Sequence, residues 1–246
     1  MHNGYSVGLI IPAMNESSTL TAIIDAVPDC VDEIIVIDGR SKDNTFELAS
    51  RHPRVSKVLM QRSYGKGAAL SLGFAVATCD LVAIIDADGS MDPSELKGFL
   101  DRFPEADIVK GSRSAKLGGS SADLTIFRDL GNRVLTNLCN FLFKEKWTDL
   151  AYGYAVVDRR VLRQLGLSSY DEMGSVFGHK SYGQGFEIEA LIFCRSSKRG
   201  FKVVEVASAE HRRLSGSSNL RAVRDGFRVL SAIIIEKNRM KPHEDS

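Results

Sequence analysis

A chain of 246 residues, 43% hydrophobic and 26% charged, is long enough for one globular domain with a substantial core. Its 32 Lys and Arg face 31 Asp and Glu, and a net charge of +1 excludes the broad positive field of a non-specific nucleic-acid binder. Cys30, Cys79, Cys139 and Cys194 lie far apart without a C-x-x-C pair, which argues against a zinc site and predicts reduced thiols in a cytoplasmic protein.

Residues 1–6 have neither the basic start nor the apolar core of a signal peptide, so none is expected. From there, short runs rich in Val and Ile predict strands at 6–11, 33–38, 57–61, 81–86 and 107–110. Between them, periodic segments predict helices at 17–27, 43–50 and 67–77, with Ser17 and Asp43 as N-caps. That alternation is the pattern of a mostly parallel sheet covered by helices, an α/β fold. Polar residues collect where the strands end: Asn15 and Glu16 after the first, Asp38 after the second, Asp86 and Asp88 after the fourth. Open α/β sheets bind ligands at the carboxyl ends of their strands.

Further on, Gly/Ser-rich stretches at 116–122 and 168–185 bracket an amphipathic helix predicted at 125–143, and one of the two is expected to close over a ligand. A last helix, predicted at 219–238, places Leu220, Val223, Phe227, Leu230 and Ile234 on one face, flanked by Arg221, Arg224 and Arg228. Such a face suits an interfacial membrane helix, and equally a helix packed on its own core or on a second subunit of a homodimer. The longest apolar stretch, 229–235, is far below the ~20 residues that span a bilayer.

Asp86 and Asp88 are the first chemical signal. One residue apart at the end of an apolar strand, their carboxylates sit on the same side of the extended chain. A pair of this kind suits a hard divalent cation, Mg²⁺ or Mn²⁺, which bridges carboxylates to substrate phosphates.

The context of that pair is informative. Ile10-Ile11-Pro12-Ala13-Met14-Asn15-Glu16, Ile35-Val36-Ile37-Asp38-Gly39-Arg40-Ser41-Lys42-Asp43-Asn44-Thr45, Gly65-Lys66-Gly67-Ala68-Ala69 and Asp86-Ala87-Asp88-Gly89 together resemble the inverting family-2 glycosyltransferases of the GT-A fold. The resemblance implies a single Rossmann-like domain with a nucleotide-sugar half at 1–112, an acceptor-side half at 113–218 and a C-terminal amphipathic helix and tail at 219–246. It also implies that Pro12, Asn15, Glu16, Asp38, Lys66, Asp86, Ala87 and Asp88 hold a GDP- or UDP-linked sugar. A helix N-terminus behind Lys66 favours an anion as well.

Within the second half, Val109-Lys110-Gly111-Ser112-Arg113, Gly131-Asn132-Arg133 and Thr148-Asp149-Leu150-Ala151-Tyr152-Gly153-Tyr154 are similar to polyprenol-phosphate sugar synthases related to dolichol-phosphate mannose synthase. By that resemblance Arg113 and Arg133 receive the phosphate of a polyprenyl phosphate acceptor, a task that suits the planar guanidinium fork. Gly185-Phe186-Glu187-Ile188-Glu189 resembles the acidic motif beside the acceptor, and since only one of its acids can face the site, Glu187 is expected there. Arg213, in a segment similar to the Arg-x-x-Gly-x-Ser loop, is expected to neutralise the leaving diphosphate.

Three departures stand out. Asp38-Gly39-Arg40 replaces Asp-Asp-Gly, Ser90 occupies the position of a Gln that is a further metal ligand in the prenyl-phosphate enzymes, and Tyr152 replaces a small residue. The expectation is therefore a metal-dependent inverting transferase, cytoplasmic and peripheral at the cytoplasmic face of the membrane. Asp88, Glu187 and Arg213 are its catalytic residues, and Asp86, Asp88 and Ser90 its metal ligands. A transferase acting on a soluble hydroxyl, with Glu187 as base, and a non-catalytic nucleotide-sugar binding module are the alternatives.

Overall fold

The computed structural model describes residues 1–167, 182–214 and 221–239. Its centre is a seven-stranded sheet. The first four strands, β1 (Val7–Ala13), β2 (Glu33–Asp38), β3 (Lys57–Met60) and β4 (Leu81–Ile84), run parallel, with β1 paired to both β2 and β4 so that Ile10 lies beside Ile35 and Ile84. Beyond β4 comes β7 (Ala155–Asp158), antiparallel to both neighbours, then β5 (Ile108–Ser112) and β8 (Val203–Ala207).

Both faces of this sheet are buried, which is why its strands read as continuous apolar runs. On one face Ile10, Ile35, Ile37, Val82 and Ile84 meet α3 (Lys66–Val76), α5 (Ile126–Phe143), α7 (Ile188–Arg199) and α8 (Ala222–Asn238). On the other, Leu9, Ile11, Ile34, Val36 and Ala83 meet α1 (Leu20–Ala26), α2 (Thr45–Arg51) and α4 (Leu96–Leu100). A short α6 (Arg159–Gln164) follows β7. The result is the three-layer α/β arrangement expected of the sequence, in one domain.

Several boundaries differ from expectation for local reasons. α1 starts at Leu20, not Ser17, because the Ser17 N–H is drawn to the Asp43 carboxylate (3.2 Å) and the Thr19 hydroxyl donates to the Ala87 carbonyl (2.7 Å). Asp43 does cap α2 chemically, accepting from the Thr45 N–H at 3.1 Å. The stretch at 116–122 is not free to close over a ligand. Its residues Ser120–Ser121 form β6, parallel to β9 (Ala209–Glu210). Residues 168–181 of the other stretch, and Leu220 of the last helix, lie outside the described residues. Among the described residues no helix is long and apolar enough to cross a membrane, and the four cysteines are free thiols.

Candidate active site

The carboxyl ends of β1, β2 and β4 open onto a cleft of about 550 Å³, lined by Pro12, Glu16, Lys66, Asp86, Ala87, Asp88 and Arg213. Each carboxylate of the strand-end pair already meets a cation. Lys66, at the first turn of α3, lies 2.8 Å from Asp86 and 2.8 Å from Glu189; Arg213 lies 2.7 Å from Asp88 and 3.2 Å from Asp123. Burial works against the Lys66 charge, but Asp86 and Glu189 outweigh it and raise its pKa. Arg213 is affected in the same sense, its burial outweighed chiefly by Asp88.

The turn after the pair is built to hold Asp88 still. The Ser90 N–H donates to its carboxylate at 3.0 Å, the Leu214 N–H donates to its carbonyl at 3.0 Å, and the His211 N–H donates to the Ser90 carbonyl at 2.8 Å. Glu16 faces the same cleft, its pKa raised by burial with Asp88 and Asp86 adding to the effect, against the lowering influence of the Thr19 hydroxyl and Arg213.

Asp38 ends β2 fully buried. One carboxylate oxygen accepts from the N–H groups of Arg40 and Ser41, at 2.9 Å each, and the other has no partner. Gln61 Oε1 is likewise buried and unpaired, on a residue that lines the cleft. Orphaned acceptors at the ends of two adjacent strands are costly, and Gln61, the one that lines the cleft, is placed for a ligand's donor to satisfy it. Asn15, by contrast, is spent on structure: it sits at φ +59°, its amide oxygen accepts from the Lys42 N–H at 2.8 Å, and it is not among the lining residues.

Asp86 and Asp88 line the cleft with hard carboxylate oxygens, which fits Mg²⁺ or Mn²⁺, whereas Ser90 is buried and is not among the lining residues. Among the described residues no group of three His, Cys, Asp or Glu side chains is placed to cage a metal. Two carboxylates completed by phosphate oxygens of a substrate is the usual way Mg²⁺ is held.

On the acceptor side the structure redistributes the expected roles. Glu187 caps α7 and turns inward, buried and clamped by Arg228 at 2.6 and 2.9 Å, because α7 begins only at Ile188. Glu189 is the acid that borders the site. It touches Lys66 from behind, and burial pushes its carboxyl pKa up against the opposing pull of Lys66. Gly153 is needed beside that pair, since a Cβ there would collide with both Glu189 and Lys66.

Arg113 is not open to a phosphate. Its guanidinium grips Asp149 at 2.7 and 2.9 Å and Glu210 at 3.1 Å, with Asn132 donating to the same Asp149 at 2.8 Å and the Tyr152 ring stacked 4.8 Å away. Tyr152 therefore fills the core under Arg113. Arg133 is exposed on α5, paired with Asp129 one turn back at 2.7 Å, and lines neither of the two clefts described here. The cations that line the strand-end cleft beyond Lys66 and Arg213 are Arg221 and Arg224, at the start of α8, and neither side chain has an ion pair among the described residues. With Tyr64 and Phe186, they are site residues that sequence reasoning missed. Arg221 and Arg224 were visible only as edges of an amphipathic helix.

A second groove of about 450 Å³ lies between α5 and α8, walled by Leu130, Val134, Val223 and Phe227, with Glu189 at its inner end. Phe186 lines both, so the charged strand-end cleft and this apolar groove are neighbours.

An open α/β sheet with a carboxylate pair beside a phosphate-sized cationic cleft defines a nucleotide-sugar type of transferase domain. Residues 9–166 match the model of the family described as "Glycosyl transferase family 2", and the chain belongs to that family. An uncharacterized glycosyltransferase of Mycobacterium tuberculosis is 35% identical over 116 residues, which cover 47% of this chain and 52% of the relative; the match spans about half the length of that relative. The undecaprenyl-phosphate mannosyltransferase of Micrococcus luteus is 27% identical over 220 residues, 86% of each chain. In shape, the chain is similar to glucosyl-3-phosphoglycerate synthase from Mycobacterium tuberculosis, solved with Mn²⁺, UDP and phosphoglyceric acid. The TM-score is 0.73 over 97% of this chain and 81% of that one, and at 18% identity the likeness concerns the fold.

Proposed function

We propose that the protein is a metal-dependent inverting glycosyltransferase that moves a sugar from a UDP- or GDP-linked donor onto a polyprenyl phosphate at the cytoplasmic face of a membrane. The observation that carries this reading is that Phe186 lines both cavities, so a charged cleft that suits a nucleoside diphosphate neighbours an apolar groove that suits a prenyl chain. The relationship to the Micrococcus luteus mannosyltransferase, named for undecaprenyl phosphate, supports the same acceptor class.

In this reading Gln61 Oε1 accepts a hydrogen bond from the nucleoside, with Pro12 and Glu16 completing that wall. Asp86 and Asp88 would hold a divalent cation, which would supply charge neutralisation for the departing diphosphate. Lys66 and Arg213 add fixed positive charge where the diphosphate develops its own. The acceptor phosphate is met by Arg221 and Arg224, whose guanidinium groups are unspent, and not by Arg113. One of its oxygens attacks the anomeric carbon as the bond to the diphosphate oxygen breaks. A phosphate monoester is already largely ionised near neutral pH, so no general base is required.

The test is a mass-spectrometric screen of UDP- and GDP-sugars against a short polyprenyl phosphate, the matching prenol, and phosphoglyceric acid as a soluble phosphate. Transfer to the polyprenyl phosphate alone, reduced by Arg221→Ala and Arg224→Ala and barely changed by Glu187→Gln, is the expected result. Transfer to the prenol or to a sugar hydroxyl, lost about 10²-fold or more on Glu187→Gln or Glu189→Gln, overturns the phosphate acceptor and installs an acid as base.

A further inference from the structure

Two helices of this protein expose apolar side chains that nothing among the described residues covers. On α5, Ile126, Leu130, Val134 and Phe141 recur at helical spacing with Phe127 beside them; Ile126 is 90% and Phe141 82% exposed. On α8, Val223, Phe227 and Ile234 do the same, Phe227 at 66%. The two helices pack against each other, so the stripes belong to one face. Large apolar residues gathered this way mark an interaction surface, whereas isolated ones are ordinary.

The charges around that face select the partner. Arg133 on α5 and Arg224 and Lys237 on α8 are exposed along its edges. The acids of α8, Asp225 and Glu236, are buried: Asp225 accepts from the Arg221 N–H, and Glu236 is held by Arg195 and Arg239. On α5, Arg133 and Asp129 offset each other, so the net charge left along the edges is that of Arg224 and Lys237, and a two-fold contact with a second copy would set this positive charge against itself. An anionic lipid surface has the complementary charge and an apolar interior for the stripe.

We infer that the exposed faces of α5 and α8 together form a docking surface for an anionic lipid bilayer, with the aromatic and aliphatic stripe entering the headgroup boundary and the edge cations meeting lipid phosphates. Leu130, Val134, Val223 and Phe227 line the apolar groove as well as this face, so docking opens the groove toward the bilayer. The docking itself is independent of which acceptor the enzyme uses, and only the orientation of the groove rests on the proposed function.

The experiment is co-sedimentation of the full chain with vesicles that contain no acceptor: phosphatidylcholine alone, and phosphatidylcholine with roughly a third phosphatidylglycerol. The wild type is expected to sediment with the anionic vesicles at low salt and to be released at high salt. Arg133→Glu and Lys237→Glu are expected to weaken binding about fivefold or more each. Phe127→Asp with Phe227→Asp is expected to abolish it with the melting curve preserved, which separates lost docking from lost folding. Two results overturn the inference: no sedimentation with anionic vesicles at low salt, or a stable dimer in solution that Phe127→Asp and Phe227→Asp dissociate. Because acceptor is absent, failure here leaves the acceptor screen standing, and failure of that screen leaves this result standing.

Discussion

The donor side and the acceptor side of this protein use the same kinds of charged residue to opposite ends. Around the strand ends of β1, β2 and β4, acids keep something in reserve: Asp38 has an unpaired oxygen, and Asp86 and Asp88 share a cleft with cations that a diphosphate can recruit. Beyond β5 most of that reserve is gone, with Arg221 and Arg224 the exceptions. Arg113 is spent between Asp149 and Glu210, Glu187 is spent on Arg228, and Glu236 on Arg195. A motif residue carries chemistry only where its neighbours leave an atom free, and a guanidinium with both edges paired inside the protein is architecture.

The largest effect that would break this contrast concerns Arg113. Arg113→Ala strands Asp149 and Glu210 in the interior, and denaturant unfolding should show a loss of about 3–5 kcal/mol, whereas Arg133→Ala should change stability by no more than about 0.5 kcal/mol. Normal stability of Arg113→Ala with lost acceptor binding would return Arg113 to the active site. Next comes Asp88→Asn, which should lower turnover about 10²-fold or more with the melting temperature nearly unchanged, because it removes charge from the cleft and no core packing. Undiminished metal-independent turnover in this variant would show that the pair is structural too.

A smaller effect follows from pH. Burial pushes the Asp149 pKa up, but Arg113 outweighs it and draws it from 3.8 down to about 2. A depressed carboxyl stabilises the fold above its unfolded value and loses that contribution as pH falls through the folded one. The stability difference between wild type and Asp149→Asn should therefore shrink by about 2 kcal/mol between roughly pH 4 and pH 2, measured by urea titration at each pH. A flat difference would mean that the Arg113 network is not what holds the acceptor half. The smallest effect sharpens the donor side. Since Arg213 already neutralises Asp88, Arg213→Ala should tighten Mn²⁺ binding by the ligand-free protein about two- to fivefold in calorimetry, while weakening it once a nucleoside diphosphate is present. Weaker binding in both states would show that Arg213 does not compete with the metal.

Most of the donor half was legible because strand period, strand-end acids and glycine turns are local signals. β2, β3 and β4 lie within the predicted segments, β1 runs two residues past its predicted end to Ala13, and Asp86 and Asp88 stand where the pattern put them. The acceptor half resisted reading. β7 and β8 are no shorter than β3 and β4, but β7 enters the sheet antiparallel between β4 and β5, strands that precede it by many residues, outside the regular strand–helix alternation. The choice between Glu187 and Glu189 turned on where α7 begins, a boundary set by the Arg228 clamp from another helix. Pairing of Arg113 with Asp149 and Glu210 joins residues 36 and 97 positions apart, which no spacing rule reveals.

Gly65 and Gly67, on either side of Lys66, press against the backbone of Gly183 and Gln184. The Ala68 N–H donates to the Gln184 carbonyl at 3.1 Å, and a Cβ on either glycine would strike that backbone. This seam fixes where the gene can be cut and rejoined with a relative's. A chimera with its crossover between residues 67 and 183 inherits the two glycines from one parent and the segment they seat from the other. Acceptor specificity should transplant by recombination only when both edges of the seam travel together, or when both parents carry glycine at the two positions.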